Sequence, residues 1–175
     1  MEYIFPKMAI VLYAGVGSIV LAFLLLLGLI WGKKGPFNYI FGCIVCVLVG
    51  LFIISISRGG ALSINDRQVS LKVPMYKQKI IESAQVKEAR IVELQKGTMY
   101  YPVRKKSGGA FKNFRNGWFK LQNDEKAFLL VEGRKAIYVK TNAGDVYMFG
   151  IKDFDSLVQA YQREIGEFKS TEIME

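Results

Sequence analysis

Only one stretch of this chain concentrates groups that could do chemistry on a partner. In "VRKKSGGAFKNFRNGW" the cations Arg104, Lys105, Lys106, Lys112 and Arg115 alternate with the aromatics Phe111, Phe114 and Trp118. Cations of this kind neutralise phosphates, and amphipathic rings settle at the headgroup level of a bilayer. Gly108 and Gly109 would let both kinds of group turn to one side. The plain alternative is a solvated loop whose rings fold back onto a sheet. Single-stranded nucleic acid could use the same mixture of charge and stacking. That reading is the less natural one for a chain with so much apolar sequence at its start.

Catalytic constellations are scarce. The chain has no histidine, which removes imidazole bases, His-ligated metals and His-activated nucleophiles. It has no phosphate-loop or dinucleotide fingerprint. Asp153 and Asp155 stand close together, but a helix start accounts for both. Cys43 and Cys46 form a C-x-x-C pair inside an apolar run, where two ligands do not make a zinc site. A non-enzymatic protein without metal or cofactor is the expectation.

The elements around these residues divide the sequence in three. Met8 to Trp31 and Phe37 to Ser57 carry no charged residue, and about 20 helical residues suffice to cross a bilayer. Residues 1–58 are therefore expected to form a transmembrane helical hairpin, with spans at about 8–31 and 37–57 and the turn "GKKGP" between them. The first run is too long for the h-region of a signal peptide and has no clear cleavage site. Small residues recur every fourth position at Ala14, Ser18 and Ala22 and again at Gly42, Cys46 and Gly50, a spacing that lets helix backbones approach closely. Basic residues near the spans place the N-terminus and everything after the hairpin in the cytoplasm of a bacterial cell, as a multi-pass protein of the inner membrane. The net charge of +9 lies mostly beyond the hairpin, where it would favour an anionic leaflet.

Residues 59–166 read as a β domain closed by a helix. "ALSIND", "RQVSLKVP", "YKQKIIES" and "EARIVELQ" have strand patterns, as do "GWFKL", "KAFLLVE", "KAIYVKT" and "DVYMFG". Gly97 to Asn116 lacks a sustained period and reads mostly as loop, with a short strand at Met99–Val103. Phe154, Leu157, Val158, Tyr161 and Ile165 make one apolar helix face, and Asp153 can cap its start. Residues 167–175 are a polar tail. The expected fold class is α+β: the two-helix hairpin, then about seven antiparallel strands in a barrel or sandwich with a C-terminal amphipathic helix.

The block "RNGWFKLQNDEKAFLLVEGRKAIYVKTNAGDVYMFGIKDFDSLVQAYQREI" resembles the C-terminal half of the bacterial PH-like (pleckstrin-homology-like) domain family. The resemblance rests on Gly117, Phe119, Leu121 and Asn123, on the Gly144 turn, and on the helix start from Asp153 to Leu157. The upstream hairpin and Val86 fit it too, so that it extends over about Ala61 to Ile165. It implies a PH-like fold in a membrane-anchored protein, and it transfers no reaction and no ligand residues. Two functions follow as expectations. One is a module that binds anionic lipid or a membrane partner at the membrane surface. The other is a scaffold that self-associates or recruits a protein through a sheet edge, where main-chain groups can accept a further strand.

Overall fold

The computed structural model describes residues 1–5, 13–22, 24, 36–57 and 60–168; side chains at 36–39, 53–57 and 111 are outside that description. The chain forms two compact units, Met1–Phe5 with Gly60–Glu175, and Pro6–Gly59.

In the second unit, 13–22 are helical, and helix α1 runs Pro36–Ser57. This unit departs from the expected fold class with its transmembrane hairpin and from the expected multi-pass membrane localisation. No helix among the described residues is long and apolar enough to cross a membrane. Most of the first expected span and the "GKKGP" turn lie outside the described residues. The expected transmembrane hairpin is therefore not part of the described fold, and the topology and multi-pass inner-membrane placement built on it go with it.

The small residues in this unit do meet. Ser18 Oγ donates to the Cys46 carbonyl at 2.9 Å, and Cys43 Sγ donates to the Ala22 carbonyl at 3.2 Å. A Cβ on Gly50 would stand 2.8 Å from the Ile19 side chain and 3.0 Å from the Gly15 carbonyl. Ala14 is exposed and Gly15 is buried, so the contact face runs through Gly15. Both cysteines are free thiols.

The first unit is a two-layer sandwich. Its smaller sheet has the order β1 (Glu2–Ile4), β2 (Ala61–Asn65), β3 (Gln68–Lys72), β4 (Lys79–Glu82), all antiparallel. The extreme N-terminus falls within the 1–58 expected as hairpin, yet Glu2–Ile4 pair with β2 and Phe5 is fully buried. The Met1 amino group donates to the Ile64 carbonyl at 2.6 Å.

A single 3-10 turn, Ser83–Gln85, leads into the larger sheet. The strands are β5 (Val86–Glu93), β6 (Pro102–Phe111), β7 (Phe114–Leu121), β8 (Lys126–Glu132), β9 (Lys135–Thr141) and β10 (Val146–Gly150), in the order β5-β9-β10-β8-β7-β6. The all-antiparallel expectation fails at one pair, because β10 runs parallel to β8. Gly133 and Arg134 carry the chain from β8 over the end of β10 into β9. Gly150 makes that passage feasible, since a Cβ there would lie 2.3 Å from the Lys135 carbonyl oxygen.

Alternation puts Leu62, Ile64, Val69, Leu71 and Ile81 of the small sheet against Phe128, Leu130, Ile137, Val139 and Phe149 of the large one. Helix α2 (Phe154–Glu164) adds Leu157 and Tyr161 to this core. Asp153 caps the helix, accepting from Ser156 N–H at 3.4 Å and from the Ser156 hydroxyl at 2.6 Å. The opposite face of the large sheet buries a second cluster that includes Phe119, Leu121, Leu129, Val131 and Met148. Strands β8 and β10 are thus buried on both faces, which explains their continuous apolar runs.

Candidate anion-binding surface

The segment expected to be mostly loop is a hairpin. Strand β6 pairs with β7 from Pro102↔Leu121 to Phe111↔Phe114, and Lys112 turns the chain at φ 50°. The physical reason for the misreading is position. As an edge strand with both faces largely in water, β6 needs no apolar alternation. Pro102 sits at its start, where a missing N–H is tolerated. Register shifts between Pro102 and Arg104 and between Lys105 and Ser107 leave Val103 and Lys106 as extra residues. Midway, Gly108 and Gly117 face each other at φ 107° and 98°, and a Cβ on Gly108 would fall 2.1 Å from the Asn116 carbonyl oxygen. The Asn116 side chain then accepts from Gly109 N–H at 2.6 Å. The hairpin is sharply bent there, and only glycine permits the approach.

This geometry separates residues that look alike in sequence. Arg104 lies opposite Lys120, and Lys105 lies opposite Phe119, so the two cations stand on different faces. Arg115 lies opposite Ala110, with its guanidinium 5.8 Å from the Tyr101 ring centre. Phe114 packs on the first core and meets Phe5 at 5.6 Å between ring centres. Trp118 is half-buried, edge-on to Phe128 at 5.3 Å. The Phe111 side chain lies outside the described residues. Among the described side chains, the expected lipid-contact residues therefore do not form one patch.

A different set does converge, and the sequence reading passed over most of it. Arg104 on β6 faces Lys120 on β7, which faces Lys126 on β8: three cations directly opposed across three strands. Like charges so placed repel and destabilise a sheet. Trp118 shares their face, one alternation along from Lys120. Lys126 Nζ lies 4.4 Å from the Trp118 ring centre, and Lys79 Nζ from β4 lies 5.7 Å away. Both are cation–π contacts. Lys120 is paired to Asp124 at 2.6 Å, on an exposed turn. Among the described residues no carboxylate forms an ion pair with Lys79, Arg104 or Lys126.

The nearest carboxylate in sequence is committed elsewhere. Glu125 accepts from Lys140 Nζ at 2.6 Å, from the Tyr138 hydroxyl at 2.9 Å and from Asn123 at 2.9 Å. Burial by itself would raise its pKa, yet these hydrogen bonds and the Lys140 charge hold it below the usual carboxylate value. Between the two sheets, the Tyr3 hydroxyl of β1 donates to Glu132 of β8 at 2.8 Å. Burial, with that carboxylate, pushes the Tyr3 pKa up to about 12. The loop between β3 and β4 presents Met75 with 71% exposure, while its neighbour Tyr76 anchors on Phe128 at 5.5 Å.

The sandwich, the bent hairpin and the closing helix agree with one finding from comparison. Residues 60–165 match the family model of the bacterial PH domain. The chain belongs to the bacterial PH domain family. Members of this family are generally binding modules rather than catalysts, so lipid or protein binding is the general expectation for the domain. No curated protein and no solved structure matches the chain. Of the residues missed, Lys120 and Lys126 were within reach of the sequence. Alternation about the Asn123–Asp124 turn puts both on the face of Trp118 and Phe128. Lys79 was not, because only the packing of the two sheets brings β4 to Trp118.

Proposed function

We propose that this bacterial PH domain is a non-catalytic module that docks on an anionic lipid surface through the face built by Lys79, Arg104, Trp118, Lys120 and Lys126. The observation that carries the reading is the row Arg104–Lys120–Lys126, whose mutual repulsion an anionic surface would relieve. Each cation near such a surface contributes about 1 kcal/mol, falling with salt. Trp118 supplies a ring suited to the headgroup level. Lys105, Lys106, Lys112 and Arg115 add positive charge around the hairpin without belonging to the row. The scaffold reading is weaker on this geometry. The edge at β6 is interrupted by two extra residues and studded with cations, devices that discourage strand addition.

The test uses Trp118 as its own reporter. In a Trp31→Phe background, Trp118 emission is recorded as vesicles of neutral or anionic lipid are added across a salt series. Docking predicts a blue shift with anionic vesicles that fades with salt and is lost in Arg104→Ser/Lys120→Ser/Lys126→Ser. An emission indifferent to anionic lipid, or a shift that survives in the triple variant, would sink the proposal.

A further inference from the structure

We infer a second site, a phosphate-binding cleft on the other face of the same sheet. A cleft of about 400 Å³ opens where three connections meet: the segment after β5, the β6–β7 turn and the β8–β9 link. Two backbone hydrogen bonds lace these connections together. Leu94 N–H donates to the Arg134 carbonyl at 2.6 Å, and Gly133 N–H donates to the Asn113 carbonyl at 2.9 Å. Its cations are Lys96, Arg115 and Arg134, against the single carboxylate of Glu93. None of those three cations forms an ion pair among the described residues. Arg115 is half-buried and rests over the Tyr101 ring, so its fork is already oriented. Gly133 adds open space, with nothing within 4 Å of where a Cβ would stand.

These features select the ligand class. Two guanidinium forks and an ammonium in a polar recess match the several oxygens of a phosphomonoester better than one carboxylate, because planar forks pair with phosphate through two bonds at once. The volume accommodates a compact ligand. Apolar lining is limited to Leu94 and the Tyr101 ring, so the group bound is small and polar. The phosphomonoester could belong to a free metabolite or to a lipid headgroup. The cleft does not depend on the docking face, since it shares none of its residues.

The test is calorimetric titration of the full chain with glycerol 3-phosphate, with glycerol as the blank. Binding should occur with phosphate alone. It should weaken about tenfold in Arg115→Gln and in Arg134→Gln, the size of one charge-assisted hydrogen bond. Glu93→Gln should tighten it, a change of sign that misfolding cannot imitate. Dihexanoyl phosphatidic acid, used as a monomer, separates the two sources. Equal affinity supports a free metabolite, and tighter binding of the diacyl form supports a headgroup. No heat at millimolar glycerol 3-phosphate, arginine variants that bind as the parent does, or weakening by Glu93→Gln would each overturn the site. The titration contains no vesicle, so its failure leaves the lipid-surface reading standing.

Discussion

Tyr161→Phe should make the β unit more stable, against the usual expectation for a core substitution. Tyr161 is 1% exposed on α2, between Phe149 at 6.1 Å and the stacked ring of Phe168 at 5.0 Å. Among the described residues its hydroxyl has no hydrogen-bond partner. A buried hydroxyl left in that state costs about 1–3 kcal/mol. Removing one oxygen opens roughly 10 Å³, worth about 0.3 kcal/mol at about 24 cal/mol per Å³. The balance is a gain of about 1 kcal/mol, or about 4 °C in Tm for a unit of this size. Urea unfolding followed by Trp118 emission in the Trp31→Phe background measures it. The pH dependence supplies a second signature. Burial raises the Tyr161 pKa, so the parent loses stability as pH rises above about 10, where the unfolded chain ionises first. The phenylalanine variant has no hydroxyl to ionise, and its advantage should grow from about pH 9 upward. A loss of about 1 kcal/mol or more at neutral pH, or an advantage that does not change with pH, would refute the reasoning.

Two other perturbations probe the frame around the site. Gly150→Ala would force a Cβ to within 2.3 Å of the Lys135 carbonyl oxygen. Backbone cannot step aside as a side chain can, so a loss of about 3 kcal/mol is expected in urea unfolding; a neutral result would mean that the β8–β9 link does not cross there. Glu125→Gln tests the network with Lys140, Tyr138 and Asn123. The lowered Glu125 pKa makes its contribution present above the unfolded carboxylate value of 4.5 and lost as pH falls through the folded one. The parent should therefore weaken on acidification more steeply than Glu125→Gln, and parallel acid profiles would dismiss the network as a source of stability.

Sequence served best where one physical constraint dominated. The runs at Phe128–Val131 and Val146–Phe149 are apolar because both faces are covered, and α2 was legible from the Leu157/Tyr161 stripe and the Asp153 cap. It served worst at β6. An edge strand obeys no burial rule on either side, so Arg104 and Lys105 read as loop when they are paired residues, and Lys106 when it is an extra residue within the strand. Glycines at 108 and 109 pointed the same way, although the structure uses Gly108 to bend a hairpin rather than to end a strand. The parallel β8–β10 pair was equally hidden. It depends on a two-residue crossing that alternation cannot distinguish from an ordinary hairpin turn.

The bend at Gly108 and Gly117 also explains why one cationic sequence serves two surfaces. In a flat hairpin, Arg104 and Arg115 would lie along one ribbon and act together. Extra residues at Val103 and Lys106, with the bend beyond them, turn the start of β6 toward Trp118 and leave Arg115 over Tyr101. Each then finds cations from distant parts of the chain: Lys79, Lys120 and Lys126 on one face, Lys96 and Arg134 on the other. Clusters assembled from separate elements cannot arise from a run of basic residues in a solvated loop. Their charges repel in the folded protein whether or not a ligand is present, and a fold that merely needed solubility could have spread them apart. The separation of the two groups is what would make the proposed lipid docking and the proposed phosphate binding independently removable.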